Sequence, residues 1–465
     1  MQILEHLYSA VWGIPTLLLI LLVGAWLTVK TRFAQLTLLP QALRDFWQRL
    51  WSGDTREGTS SFQALCTALA ATVGTGNLAG VAGAIALGGP GAIFWMWICA
   101  LLGMIIKFSE ATLAVSLRQK NAAGEWVGGP MYMIRYALPP VFRPLAGLYA
   151  FFGVVAAFGV GNATQINTVI CSVSDMTAAF GLDAPAWLGG VLGLLLAALV
   201  GAMLLGGARR IGTVAEKLVP FGAAVYLLLC LTVLIARIQF VPAAFSAIFR
   251  GALAPRAVTG GMIGSMLICL RTGVSRGIFT NEAGMGTASI AHAAARVEHP
   301  VEQGMMGIVE VFLDTVVICT MTALVILCSR VSVPYGVDPG VTLTTQAFSA
   351  VLGGWVSVVI SMALCLFALA TVLGWGLYGI RCAQYLFGEN CWKLFASLQI
   401  VTAAASPWIG SGALWRLAEI VNGLMAIPNL IVLCALTPRL QRLRNEYQQK
   451  KAGNSYAYFR QCQSL

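Results

Sequence analysis

Apolar runs close to the length of a bilayer crossing, separated by short polar segments, occupy almost the whole chain. A helix needs about 20 apolar residues to cross the hydrocarbon core. Runs at 13–29, 62–87, 91–117, 145–172, 185–205, 213–236, 258–279, 304–328, 348–378, 394–409 and 413–436 meet or approach that length. The pattern predicts an all-α integral membrane protein of about eleven transmembrane helices, with gaps too short for a separate soluble domain.

Two runs are interrupted by glycines and small polar residues. Ala71-Thr72-Val73-Gly74-Thr75-Gly76-Asn77 breaks the second, and the stretch from Arg271-Thr272-Gly273 to Asn281-Glu282-Ala283-Gly284-Met285-Gly286 breaks the seventh. Lying five runs apart, the two breaks have opposite orientations, the spacing expected of an inverted repeat with one discontinuous helix in each half. Broken helices are thus expected near 70–77 and 260–280. The corresponding organisation is a first helix and basic loop over 1–60, one repeat over 61–236, a second over 237–437 and a basic tail over 438–465.

Composition narrows the class further. With 58% hydrophobic and 10% charged residues, against about 25% charged in soluble domains, the chain is not a water-soluble enzyme, a coiled coil or a disordered segment. Its formal net charge of +11 resides in loops and fixes topology instead of binding nucleic acid. Arg118, Lys120, Arg135, Arg143, Arg209, Arg210, Lys217, Arg296, Arg381, Lys393 and the 439–451 tail fall on one side of the eleven-span arrangement; Arg237, Arg250, Arg256, Arg330 and Arg416 fall on the other. The positive-inside rule then sets the N-terminus outside and the C-terminus in the cytoplasm. The first run precedes Lys30, Arg32, Arg44 and Arg49, the reverse of a cleavable signal peptide, and reads as a retained helix. The 12 cysteines form no C-x-x-C, and His6, His292 and His299 share no metal-ligand spacing. No Ser/His/Asp set or H-E-x-x-H motif points to an enzyme or an organic cofactor.

Three segments carry candidate chemistry. Unwound backbone at membrane depth is tolerated where it lines a cavity or is covered by protein. At Val73–Asn77 its freed N–H groups suit a carboxylate and its freed carbonyls a cation; the alternative is a kink with Asn77 bonded to a neighbouring helix. Asn162 and Gln165, three apart, share a helical face, which suits either a zwitterion or helix-to-helix bonding. Thr371 and Trp375 also share a face: the hydroxyl can complete an oxygen shell for Na+ or bond to its own preceding turn. Among the intramembrane charges, Lys107 and Glu110 can neutralise one another, and Glu310 and Asp314 can pair with Arg271 or Arg276 as a gate lock.

The run Gly88-Gly89-Pro90-Gly91-Ala92-Ile93-Phe94-Trp95-Met96-Trp97 followed by Gly103 resembles the signature of the sodium:alanine (alanine/glycine:cation) symporters. Ser61–Leu65, Thr75–Ala82, Gly128-Gly129-Pro130-Met131-Tyr132, Asn281–Gly286 and Asp314-Thr315 are similar as well. The resemblance implies a LeuT-type fold, with a peripheral first helix and two inverted five-helix halves. It implies Na+-coupled import of a small neutral amino acid, alanine or glycine in class, across a bacterial inner membrane. Carried over residue by residue, Thr75, Gly76, Asn77, Gln165, Met262, Gly264 and Trp375 would contact the substrate. Na+ would take the carbonyls of Ala70, Val73 and Phe367 and the hydroxyl of Thr371. The sequence departs from the family pattern at Ala370, where a second hydroxyl is usual, at Met262, where an aromatic is common, and at Leu377-Tyr378-Gly379-Ile380. Proton-coupled uptake and an amino-acid-binding membrane sensor are the alternatives.

Overall fold

The computed structural model describes residues 2–51, 58–179, 184–253, 266–409 and 411–451. Helices account for nearly all of them, with a single short hairpin pairing Gln119–Lys120 with Trp126–Val127 among the described residues. Among the described residues five helices are long and apolar enough to cross a membrane: Ala92–Ser116, Pro140–Thr177, Gly207–Ala236, Pro300–Ser329 and Val356–Phe387. Two bent pairs, Ser61–Thr72 with Gly76–Gly88 and Glu419–Ala435 with Thr437–Lys451, bring the possible spans to seven.

The outer helices divide their faces between lipid and protein. Gly207–Ala236 buries Gly222, Tyr226, Cys230 and Val233 while exposing Phe221, Leu228, Leu231 and Ile235, a division that suits a bundle whose solvent is hydrocarbon. Val356–Phe387 runs through the centre, and a β-carbon on its Gly374 would stand 2.9 Å from the Ala71 nitrogen. Only glycine at 374 admits the close approach of this helix to the first break.

That break is built from residue chemistry. Ser60 and Gln63 form a capping box at the start of Ser61–Thr72, satisfying two otherwise orphaned donors. The helix ends when Val73 turns extended, and the chain resumes as a π-helix over Gly76–Gly80 and an α-helix over Val81–Gly88, bent by 54° from the first segment.

Of the expected second break, residues 260–265 lie outside the described residues, and within the 271–286 stretch the chain departs from helix only at its C-terminal end. Met266–Asn281 is a continuous helix, and the chain leaves it only at Glu282, with positive φ at Glu282, Gly284 and Gly286, before Thr287–Ala293 begins. Gly273 and Gly277 serve packing instead: a β-carbon on Gly273 would collide with Ala92 O, and one on Gly277 would come within 3.1 Å of Cys99. Two further π-helices, Gly159–Ala163 and Phe312–Cys319, interrupt neighbouring spans; such segments recur at functional sites.

Candidate functional site

The first break, the second break, the Gly159–Ala163 π-helix and the centre of Val356–Phe387 converge on one cavity. Its wall includes Thr72, Gly74, Thr75 and Gly76 from the first break, and Phe279 and Glu282 from the second. Val160, Thr164 and Gln165, with Thr371 and Trp375, line other sides, and Glu419 and Asn422 complete it. The free space, about 40 Å³, holds a few waters at about 10–15 Å³ each. A wider vestibule shares Thr75, Gly76, Phe279 and Glu419 with this wall and is bordered by Arg276 and Asp338.

Thr75, Gly76, Gln165, Thr371 and Trp375 all line the cavity. Gln165 Nε2 donates to the Val160 carbonyl at 3.1 Å, which leaves its buried Oε1 without a donor. Trp375 Nε1 donates to Glu282 Oε1 at 3.2 Å. A β-carbon on Gly161 would collide with the Trp375 side chain, so that glycine makes room for the indole. Thr371 Oγ1 donates to the Phe367 carbonyl at 3.0 Å, and a β-carbon on Gly74 would stand 3.1 Å from that hydroxyl. Ala70, Val73 and Phe367 are buried behind the wall. Met262 and Gly264 lie outside the described residues.

Asn77 takes a different position from the other expected substrate contacts. Fully buried and absent from the cavity wall, it accepts the Gly74 N–H at 2.8 Å and donates to Asp314 Oδ1 at 2.7 Å and to the Asp314 carbonyl at 3.1 Å. Thr315 Oγ1 donates to the other Asp314 carboxylate oxygen at 2.8 Å. In a continuous helix the Gly74 N–H would bond to the Ala70 carbonyl; Asn77 takes that donor instead. Asn162 likewise faces a neighbouring helix, donating to the Gln399 side-chain and backbone oxygens.

The buried charges pair differently from the sequence expectation. Lys107 Nζ meets Glu310 Oε1 at 2.8 Å, not Glu110, because Pro300–Val311 packs directly on the helix carrying the lysine. Glu310 also meets His292 at 3.0 Å, and the chain continues through Gln303 to Ser61. Glu110 Oε1 instead accepts the N–H groups of Gly284 and Gly286, both at 3.1 Å, and the Asn429 amide at 2.6 Å. It therefore braces the second break. Arg276 pairs with Asp338 at 2.6 Å beside the vestibule, not with Glu310 or Asp314.

Sequence reasoning assigned no site role to Phe279, Glu282, Glu419 or Asn422. For Glu282 a signal existed in the interrupted run itself: a carboxylate flanked by Asn and two glycines inside an apolar stretch is costly unless functional. Phe279, Glu419 and Asn422 left no comparable signal, since single aromatic and polar residues recur in many spans.

A cavity between two discontinuous helices in an apolar bundle is the arrangement of a secondary transporter of the LeuT type. The solved structure of MhsT in complex with L-phenylalanine shares this fold, with a TM-score of 0.54 at 14% identity, covering 84% of this chain and 99% of that one. Residues 1–461 match the sodium:alanine symporter family, and the chain belongs to it. Similar proteins include the sodium/alanine symporter AgcS of Methanococcus maripaludis, 41% identical over 436 residues that cover 92% of this chain and 93% of AgcS. The probable sodium/glutamine symporter GlnT of Bacillus subtilis is 35% identical over 469 residues, 99% of this chain and 94% of that protein. An uncharacterised transporter of Haemophilus influenzae is 40% identical over 461 residues, 98% of each chain. The family comprises symporters, not enzymes.

Proposed function

We propose that this protein imports a small neutral amino acid, alanine or glycine in class, with Na+ by alternating access through a bacterial inner membrane. In this proposal eleven transmembrane helices form a 5+5 inverted repeat behind a first helix, with the N-terminus outside and the C-terminus in the cytoplasm. The observation that carries it is the geometry of the first break: Gly74, Thr75 and Gly76 line the cavity, and Asn77 takes the Gly74 N–H that would bond to the Ala70 carbonyl in a continuous helix.

The substrate carboxylate meets the Thr75 hydroxyl and Gly76 amide at the positive end of the resumed helix, Gln165 supplies a polar contact and Trp375 bounds the side chain. Na+ takes the Ala70, Val73 and Phe367 carbonyls and the Thr371 hydroxyl, a set of hard oxygen donors suited to an alkali cation. Asn77 acts as the brace that holds the break open. The small cavity volume supports a substrate with a short side chain.

A zwitterion has no net charge, so the membrane potential alone does not concentrate it. One Na+ contributes about 2.3 kcal/mol per 100 mV, and a tenfold Na+ gradient adds about 1.4 kcal/mol, together enough for roughly 500-fold accumulation.

The test is radiolabelled alanine, glycine, serine and glutamine uptake into proteoliposomes. An inward Na+ gradient drives accumulation, and replacing Na+ with choline abolishes it. Uptake in choline driven by an acid-outside gradient would instead establish proton coupling, and saturable binding without uptake or counterflow would mark a sensor. Thr371→Ala lowers Na+ affinity and alanine uptake together.

A further inference from the structure

Glu282 stands at the point where the chain leaves the Met266–Asn281 helix, and it does so at φ 52°, a conformation uncommon for a residue with a β-carbon. That backbone geometry delivers a carboxylate, 4% exposed, to the cavity wall. Its Oε1 receives one N–H, from Trp375 at 3.2 Å, and its Oε2 one O–H, from Thr287 at 2.8 Å. An ionised carboxylate accommodates about four donors, so two neutral partners leave it under-coordinated. Among the described residues Glu282 forms no ion pair, and Lys107 is committed to Glu310.

Two further acceptors on the same wall have no donor: Gln165 Oε1, on a side chain 5% exposed, and Asn422 Oδ1, on one 2% exposed. Leaving such groups buried and unmade is costly. A carboxylate and two amide oxygens match the three N–H donors and single positive charge of an ammonium group. The first break, which supplies amide donors and a helix N-terminus, has the opposite polarity.

We infer that Glu282, with Gln165 and Asn422, is the ammonium-recognising pole of the cavity and makes an amino group obligatory in the substrate. The inference rests on the amino-acid reading above and names the residues that would orient the zwitterion. Lactate differs from alanine by a hydroxyl in place of the ammonium; it would present one donor and no positive charge to this pole.

The test uses the full-length protein in proteoliposomes under an imposed Na+ gradient, with alanine uptake measured for the unaltered chain and for Glu282→Gln. Unlabelled lactate serves as competitor on the unaltered chain, and a Na+-induced rise in Tm in detergent confirms that the variant is folded. Glu282→Gln is expected to raise the alanine KM about ten- to a hundredfold, the worth of a charge-assisted hydrogen bond, while retaining the Na+-induced rise. Glu282→Asp is expected to recover part of the loss. Lactate is expected to leave alanine uptake unchanged at concentrations where unlabelled alanine abolishes it.

A folded Glu282→Gln protein with an alanine KM within about twofold of the unaltered chain would overturn the inference. So would competition by lactate as effective as that by alanine. Should Glu282→Gln fail to fold, the lactate measurement decides alone. Absence of alanine uptake by the unaltered protein under the Na+ gradient overturns the functional reading itself, which separates the two failures.

Discussion

At the scale of single residues, Asn77 ties the first break to a neighbouring helix. Its Oδ1 removes the Gly74 N–H from helical bonding, and its Nδ2 ties the break to Asp314. Replacing it with alanine frees the Gly74 N–H to bond to the Ala70 carbonyl, so the helix gains a rung and the proposed Na+ site loses a ligand. It also strips a donor from a buried carboxylate, at a cost of about 1–3 kcal/mol. Asn77→Ala is therefore expected to lower Na+ affinity at least about tenfold as well as Tm, measured by Na+ titration of thermal unfolding in detergent. Unchanged Na+ affinity would remove Asn77 as the brace. The sequence made the interruption at Gly74-Thr75-Gly76-Asn77 legible because two glycines and two small polar groups contradict an apolar helix. It left open whether the amide faced substrate or a partner helix, because Asp314 lies 237 residues away and nothing local marks the pairing.

At the scale of elements, the breaks are held by buried charges that short-range sequence rules misassign. Lys107 and Glu110 have the i, i+3 spacing of an intrahelical pair, yet their side chains bond to different helices: the lysine to Glu310 and the glutamate to the turn at Gly284–Gly286. The tertiary partners win because each satisfies a buried group that would otherwise be orphaned. Removing one member of such a pair costs about 3–5 kcal/mol, whereas neutralising both costs much less. Lys107→Met should lower Tm sharply, and Lys107→Met with Glu310→Gln, which keeps an acceptor for His292, should recover a large part of that loss. A double variant no more stable than the single one would show that the ion pair is not what Lys107 contributes. The same limit on local reading explains the second break. Glycines at 273 and 277 resemble helix interrupters in sequence but serve close packing, while Glu282, Gly284 and Gly286, at positive φ, turn the chain.

At the scale of the whole molecule, apolar periodicity was enough to predict a helical membrane bundle, and the interrupted runs pointed to its centre. The convergence of Gln165, Trp375, Glu282 and Asn422 on one cavity required the fold, since they lie on separate spans. On the proposed function, Na+ and amino acid engage the same broken helix, so each must strengthen the binding of the other by the same factor. The most direct measurement is equilibrium binding of labelled alanine to the purified protein across a series of Na+ concentrations, paired with Na+ binding at several alanine concentrations. The account predicts that saturating Na+ tightens alanine binding by about 5- to 150-fold and that saturating alanine tightens Na+ binding equally. Alanine affinity that is the same in Na+ and in choline would contradict it.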